Sequence, residues 1–484
     1  MKRFLSSCLF ATAVLCAGAA HAWPQNEAKA GAQNHPKFLA QQGGAIKDEA
    51  LSAYVRQIGN KIVAHTPLAN EPWVFTVTDT PIVNAFAAPG GYVYITRGLL
   101  ALANSEAELA AVIGHEVAHL AAAHHSKRQK RGNDAGIGVL VGTVLGGILG
   151  GKDGLKKGIE LSSKVAAGYV GQFSQSQEFE ADQLGTRYLA AAGYNPYAQA
   201  AILHGLGAKR SFEAQKSGKK YNPNRVDFFA THPATKDRVQ RARNVARSLG
   251  AQGRNIEAET PYMAAIDGMI YGDSAEQGFV RGNTFQHPVI GFEYTVPKGF
   301  TITNSSSRVV ASGPNAAQFN LDGGGAVQAR PEDFIRNVWV KQIARDVPVG
   351  TLSKISKFNR NGVSGAQAIL PFKRGNTDWL AHLTLIEHRG RFIRLTGLAR
   401  RSDRALLGDF DKAAASFRAL ADWEAAEMKP YRLRAYEVRP GDTVDWLALA
   451  SPSQDLGPSL FLTLNGLANR NQLIAGDMVK VVTE

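Results

Sequence analysis

The chain has 484 residues, 44% apolar and 20% charged, which allows several packed domains and excludes a disordered chain or a polytopic membrane protein. Its 55 Lys and Arg against 41 Asp and Glu give a net charge of +14 diluted over a long chain, and with no zinc-knuckle or RNP-type aromatic motif nucleic acid is not an expected partner. The two cysteines, Cys8 and Cys16, both lie in the first twenty residues, which rules out a disulfide scaffold and any cysteine-ligated metal elsewhere.

Lys2 and Arg3 precede an apolar run from Phe4 to Ala20, and Ala20-His21-Ala22 supplies the small-x-small pattern of a signal peptidase site. Cleavage is expected after Ala22, with a periplasmic destination. The run is too short for a stable membrane span. A lipoprotein signal places a small residue before its cysteine, whereas Leu15 precedes Cys16.

Leu51, Tyr54, Val55, Ile58, Ile62 and Val63 recur at helical spacing and predict a helix over 47–66. Residues 72–79 alternate as a strand. Asn84–Ile95 reads as a β-rich run broken at Pro89-Gly90-Gly91, a hairpin or bulge. Ser105-Glu106-Ala107-Glu108 is a capping box opening a helix rich in Ala and Leu. Residues 135–151 are apolar and glycine-rich, either a small-residue helix packed closely on its neighbours or a mobile flap or peripheral membrane contact. A second strong helix is predicted over 175–193, ended by Gly193 and Pro196, and helical character continues to about Leu249. Strand-like runs dominate 276–400, and a helix is expected near 404–426.

The chemistry lies on the two strong helices. His115-Glu116-Val117-Ala118-His119 places two imidazoles at i and i+4 on one helical face, about 6 Å apart, so both can reach one Zn²⁺. Glu116 is turned by about 100° from His115, beside the metal rather than on it, where it can deprotonate water. A catalytic zinc needs a third protein ligand and one open position. Glu178 and Asp182, i and i+4 on the second helix, share a face: one can bind metal while the other accepts a hydrogen bond from a ligating imidazole. Glu180 points elsewhere and reads as a solvated charge. His124 and His125 follow the motif at a spacing that does not share the ligand face, which predicts surface or packing roles.

H-E-V-A-H followed by Q-E-F-E-A-D-Q-L-G, with N-A-F-A-A-P-G-G-Y-V-Y-I before and T-H-P-A-T-K-D-R after, resembles the gluzincin metallopeptidases of the HtpX and CAAX-prenyl-protease type, in their periplasmic BepA/LoiP-like branch. The resemblance covers residues 40–245. It implies a zinc endopeptidase with one Zn²⁺ per chain, held by His115, His119 and Glu178, with Glu116 as general base and Asp182 supporting a ligand. Asn84, Ala85, Phe86, Gly90 and Gly91 could belong to an edge strand that holds an extended peptide beside the zinc, or to an ordinary hairpin. His232 and Arg238 match the family's H-P-x-x-x-x-R pattern. Either could stabilise the oxyanion, His232 could instead occupy the open zinc position, and both could be structural. The branch carries a helical tetratricopeptide tail, and residues 250–484 do not read that way.

Residues 436–482 resemble a LysM module, with V-R-P-G-D-T-V opening and A-G-D-M-V-K-V-V closing, which implies a β-α-α-β fold, either one that contacts peptidoglycan or one without glycan affinity. The expected architecture is therefore α+β and multidomain. A leader (1–22) precedes a mainly helical zincin catalytic domain with a β-hairpin or edge strand (23–250). An α+β domain of unknown role (251–430) and a small LysM-like tail (431–484) follow. The expected function is hydrolysis of misfolded or mislocalised envelope proteins. The alternatives are a murein-tethered binding or assembly factor, or an enzyme cutting the peptide stems of murein.

Overall fold

The computed structural model describes residues 23–127, 173–216, 236–250, 256–305, 308–452 and 456–484. The leader, the glycine-rich run 135–151 and His232 lie outside the described residues.

Helix α1 (Gln25–Gln41) leads into α2 (Glu49–Val63), which starts where the Asp48 side chain accepts a hydrogen bond from Leu51 N and buries Leu51, Val55, Ile58 and Ile62 on one face. A three-stranded sheet follows, made of β1 (Val74–Thr78), β2 (Ala85–Ala88) and β3 (Tyr92–Thr96). Its order is β1-β3-β2, with β1 parallel and β2 antiparallel to β3, so β2 is an edge strand. The β2–β3 turn needs Gly90 and Gly91 because both adopt left-handed backbone, at φ +82° and +84°.

A short helix α3 (Arg97–Leu102) precedes α4 (Glu106–Ala121), which carries the H-E-x-x-H motif. Half of the expected capping box forms. Ser105 Oγ accepts from Glu108 N, while the Glu108 carboxylate reaches one residue further back, to Asn104 N. Every residue of α4 from Leu109 to Leu120 is buried, so the helix is surrounded rather than amphipathic. It packs on β2, on α2, on α5 (Gln175–Ala191) and on α6 (Ala198–Lys216). Helix α7 (Lys236–Ser248) lies against α5 and α6, and α8 (Glu259–Ile266) closes the bundle. Two glycines set the α4–α5 approach: a Cβ on Gly185 would lie 2.9 Å from His115 N, and one on Gly114 would lie 3.2 Å from Gly185 O. That contact brings the downstream carboxylates to the histidines.

After the two-residue β4 (Ile270–Tyr271), the middle region is dominated by sheet. One sheet has four strands: β5 (Phe279–Arg281), β6 (Thr284–His287), β7 (Phe292–Thr295) and, at its far edge, β15 (Arg418–Ala419). The other has seven antiparallel strands: β8 (Thr301–Asn304), β9 (Val309–Ser312), β10 (Gln318–Ala326), β11 (Ser356–Arg360), β12 (Val363–Arg374), β13 (Thr377–His388) and β14 (Arg391–Arg400). Its order is β11-β12-β13-β14-β10-β9-β8. Residues 331–346 cover one face through Ile335 and Trp339, and the helix α9 (Leu406–Ala415) covers the other through Phe410. The single helix expected near 404–426 is broken. Ser416 Oγ bonds back to Ala413 O and accepts from Thr295 N, Arg418 pairs with Glu293 of β7, and the chain crosses as β15 before a second helix, Asp422–Glu427.

The tail runs β16 (Tyr431–Glu437), helices Val444–Leu447 and Gly457–Leu464, then β17 (Met478–Thr483), with β16 and β17 antiparallel. It does not stand apart. Leu433, Leu460, Leu464 and Val482 lie in the same core as the site helices, and β16 also pairs with β4. Lys480, 1% exposed, donates to the carbonyls of Ala101, Leu102 and Ala103 at 2.9, 3.1 and 2.7 Å. These carbonyls end α3, and burial draws the Lys480 amine down to about 7.

Candidate metal centre

Helix α4 presents His115 and His119 one turn apart, and α5 presents Glu178 from its first turn. Among the described residues these three buried side chains form a set able to hold a metal, with one ligand atom from each within 4.8 Å of the others. His115 Nε2 and His119 Nε2 are 3.1 Å apart, and Glu178 Oε2 and Oε1 lie 3.6 Å from them respectively. Three donors on a tetrahedral zinc at bonds of roughly 2.0–2.1 Å would be separated by about 3.3 Å, so the observed spacing brackets what the ion requires. The charge fits too. Among the described residues, Glu116, Glu178 and Asp182 are buried together with the Arg238 guanidinium, an acid-rich setting suited to a divalent cation.

Each ring is held from behind. A ring that offers Nε2 to a metal carries its proton on Nδ1. His115 Nδ1 lies 3.0 Å from Asp182 Oδ1, so the proton points at a carboxylate. Asp182 also accepts from Arg238 Nε at 2.7 Å, Arg238 Nη2 at 2.7 Å and Gln199 Nε2 at 3.1 Å. Burial alone would raise the Asp182 carboxyl, but the charge and hydrogen bonds of Arg238, with those of His115, hold it well below the usual carboxylate range. Arg238 Nη1 reaches Glu178 Oε2 at 2.8 Å.

Arg238, for which the sequence leaves an oxyanion-stabilising and a structural role open, lies among the buried carboxylates. Its side chain is 3% exposed, and its guanidinium pairs with both Glu178 and Asp182. Asn84, Ala85 and Phe86 do lie at or on the edge strand, and β2 packs against α4. Asn84 N donates to Thr96 Oγ1 and Phe86 stacks on Tyr94, centroids 4.5 Å apart, with Phe38 of α1 edge-on. Gly90 and Gly91 serve the turn, crowded by Ala28 and by Pro72 and Trp23.

His124, expected in a surface or packing role, is buried, and the half-exposed Glu180 reaches it. Helix α4 ends at Ala121, and Ala123 takes a left-handed backbone (φ +53°), so the chain doubles back. His124 is thereby fully buried, its Nδ1 2.9 Å from His119 Nδ1 and its Nε2 3.1 Å from Glu180 Oε2. Helical periodicity could not find this contact, because it depends on the helix stopping. Phe173 stacks on the His119 ring at 3.9 Å, another neighbour that no spacing rule marks.

Residues 49–246 match the model of Peptidase family M48. A beta-barrel assembly-enhancing protease of Yersinia pestis is 30% identical over 210 residues, 42% of this chain and 40% of the relative. The metalloprotease LoiP of Escherichia coli is 29% identical over 194 residues, 40% of this chain and 68% of the relative. A mitochondrial metalloendopeptidase of Schizosaccharomyces pombe is 26% identical over 193 residues, 39% of this chain and 51% of the relative. The chain spans about two fifths of the length of the beta-barrel assembly-enhancing proteases it matches.

Proposed function

We propose, from the Peptidase family M48 domain that residues 49–246 form, that this chain is a zinc-dependent endopeptidase acting on misfolded or mislocalised proteins of the cell envelope. The observation that carries the reading is the convergence of His115, His119 and Glu178 at the spacing one tetrahedral ion needs. Zinc bound there would polarise the scissile carbonyl and lower the pKa of water. Glu116, buried next to His115, takes the proton from the attacking water and passes it to the leaving amine. Asp182 and Arg238 fix the orientation of His115 and Glu178. The edge strand β2, lying against α4, offers backbone partners for an extended peptide.

Relatives named for β-barrel assembly support an envelope substrate and a periplasmic location. The β-α-α-β order of residues 431–484 supports the LysM-like reading. The test is digestion of casein and of an unfolded outer-membrane protein by the full chain, with and without chelator. Wild type cleaves, chelator stops it, and Glu116→Gln binds zinc but cleaves at least about a hundredfold more slowly. Cleavage by Glu116→Gln at the wild-type rate would remove the assignment.

A further inference from the structure

We infer that His124 and Glu180 are positioning residues for the zinc ligand His119, forming a second support that matches the one Asp182 provides for His115. This inference rests on the endopeptidase reading above and extends it to two residues that the sequence reading gave no part in the metal site. The geometry requires a direction. His119 offers Nε2 to the site it shares with His115 and Glu178, so its proton is on Nδ1. The atom facing that proton, 2.9 Å away, is His124 Nδ1, which must accept. An imidazole accepting at Nδ1 carries its own proton on Nε2, and that nitrogen faces Glu180 Oε2 at 3.1 Å. One tautomer of each ring satisfies all of these contacts.

The placement is fixed on every side. His124 is fully buried, its carbonyl accepts from Gln177 Nε2, and Phe173 stacks on the His119 ring. Glu180 comes from α5, the helix that also supplies Glu178, and its side chain is half exposed. The relay therefore ties the turn after α4 to the first turns of α5, while Asp182 ties the middle of the two helices together. Outer partners of this kind raise the basicity of a ligating ring and hold its plane.

The test uses the full-length protein, stripped of metal, in zinc competition against a chromophoric chelator, with the Co²⁺-substituted visible spectrum as a second readout. His124→Phe fills the site without an acceptor and should weaken zinc binding by about 10–100-fold. His124→Asn puts an amide oxygen where Nδ1 was, and should bind within about threefold of wild type. Glu180→Ala, at a half-exposed position where folding is not in question, should weaken binding by at least about threefold and shift the Co²⁺ bands. If His124→Phe fails to fold, Glu180→Ala alone decides. Wild-type affinity and spectrum in Glu180→Ala, or equal weakness in His124→Asn and a folded His124→Phe, overturns the relay. Tight binding by wild type with no loss in these variants sinks only the relay, whereas failure of wild type to bind zinc sinks the endopeptidase reading with it.

Discussion

Arg238→Met is the perturbation that most sharply separates a positioning role from a catalytic one. The substitution keeps most of the buried stem and removes the guanidinium. Asp182 then loses two donors at 2.7 Å and Glu178 loses one at 2.8 Å, and both carboxylates stay buried. Removing one partner of a buried ion pair costs about 3–5 kcal/mol, because the other charge stays desolvated. At about 2–4 °C per kcal/mol for a unit of this size, the metal-free protein should melt roughly 6–20 °C lower than wild type. Zinc supplies positive charge beside Glu178, so the deficit should shrink when the metal is restored. Arg241→Met is the control: its pair with Asp237 is solvent-exposed, and such pairs contribute at most about 1 kcal/mol. The assay is thermal unfolding of both variants in chelator and again with zinc. Metal-free Arg238→Met melting within about 2 °C of wild type would refute the reasoning.

Gly185→Ala places a Cβ 2.9 Å from His115 N, so α5 must shift; a cost of about 1–3 kcal/mol and weaker zinc binding are expected, read by melting and chelator competition. Lys480→Met leaves the Ala101 and Ala103 carbonyls without this donor, while Leu102 O keeps Asn104 Nδ2; a loss of about 2 kcal/mol is expected, with faster amide exchange in both 97–103 and 478–483, and unchanged exchange would refute the docking. Burial pushes His287 down to about 4, and its Nδ1 accepts from Ile290 N. The unfolded chain, with a histidine pKa near 6.5, therefore binds more protons between those values, so stability of the middle region falls as pH drops from about 6.5 to 4, by on the order of 3 kcal/mol. Urea unfolding across that range checks this, and His287→Gln should flatten the dependence.

What the sequence made legible followed from local rules. The i, i+4 spacing of His115 and His119, and of Glu178 and Asp182, survives in the structure because both pairs lie inside uninterrupted helices. The edge strand and its glycine turn were readable because left-handed backbone at Gly90 and Gly91 demands glycine. What escaped depends on chain reversals and distant partners. His124 reaches His119 through a left-handed alanine, Arg238 is captured by carboxylates 56 and 60 residues earlier in sequence, and Arg418 and Ala419 leave the expected helix to pair with β7. The tail's anchorage was hidden for a similar reason. A lysine reads as surface unless one knows that three carbonyls at the end of α3 await it.

The most direct test is X-ray diffraction from zinc-soaked crystals at wavelengths on either side of the zinc absorption edge. One anomalous peak within about 2.0–2.2 Å of His115 Nε2, His119 Nε2 and a Glu178 carboxylate oxygen is expected, and it should vanish in Glu178→Ala crystals soaked at stoichiometric zinc. A peak bonded to other side chains, or full zinc occupancy at this place without the Glu178 carboxylate, would contradict the three-ligand centre.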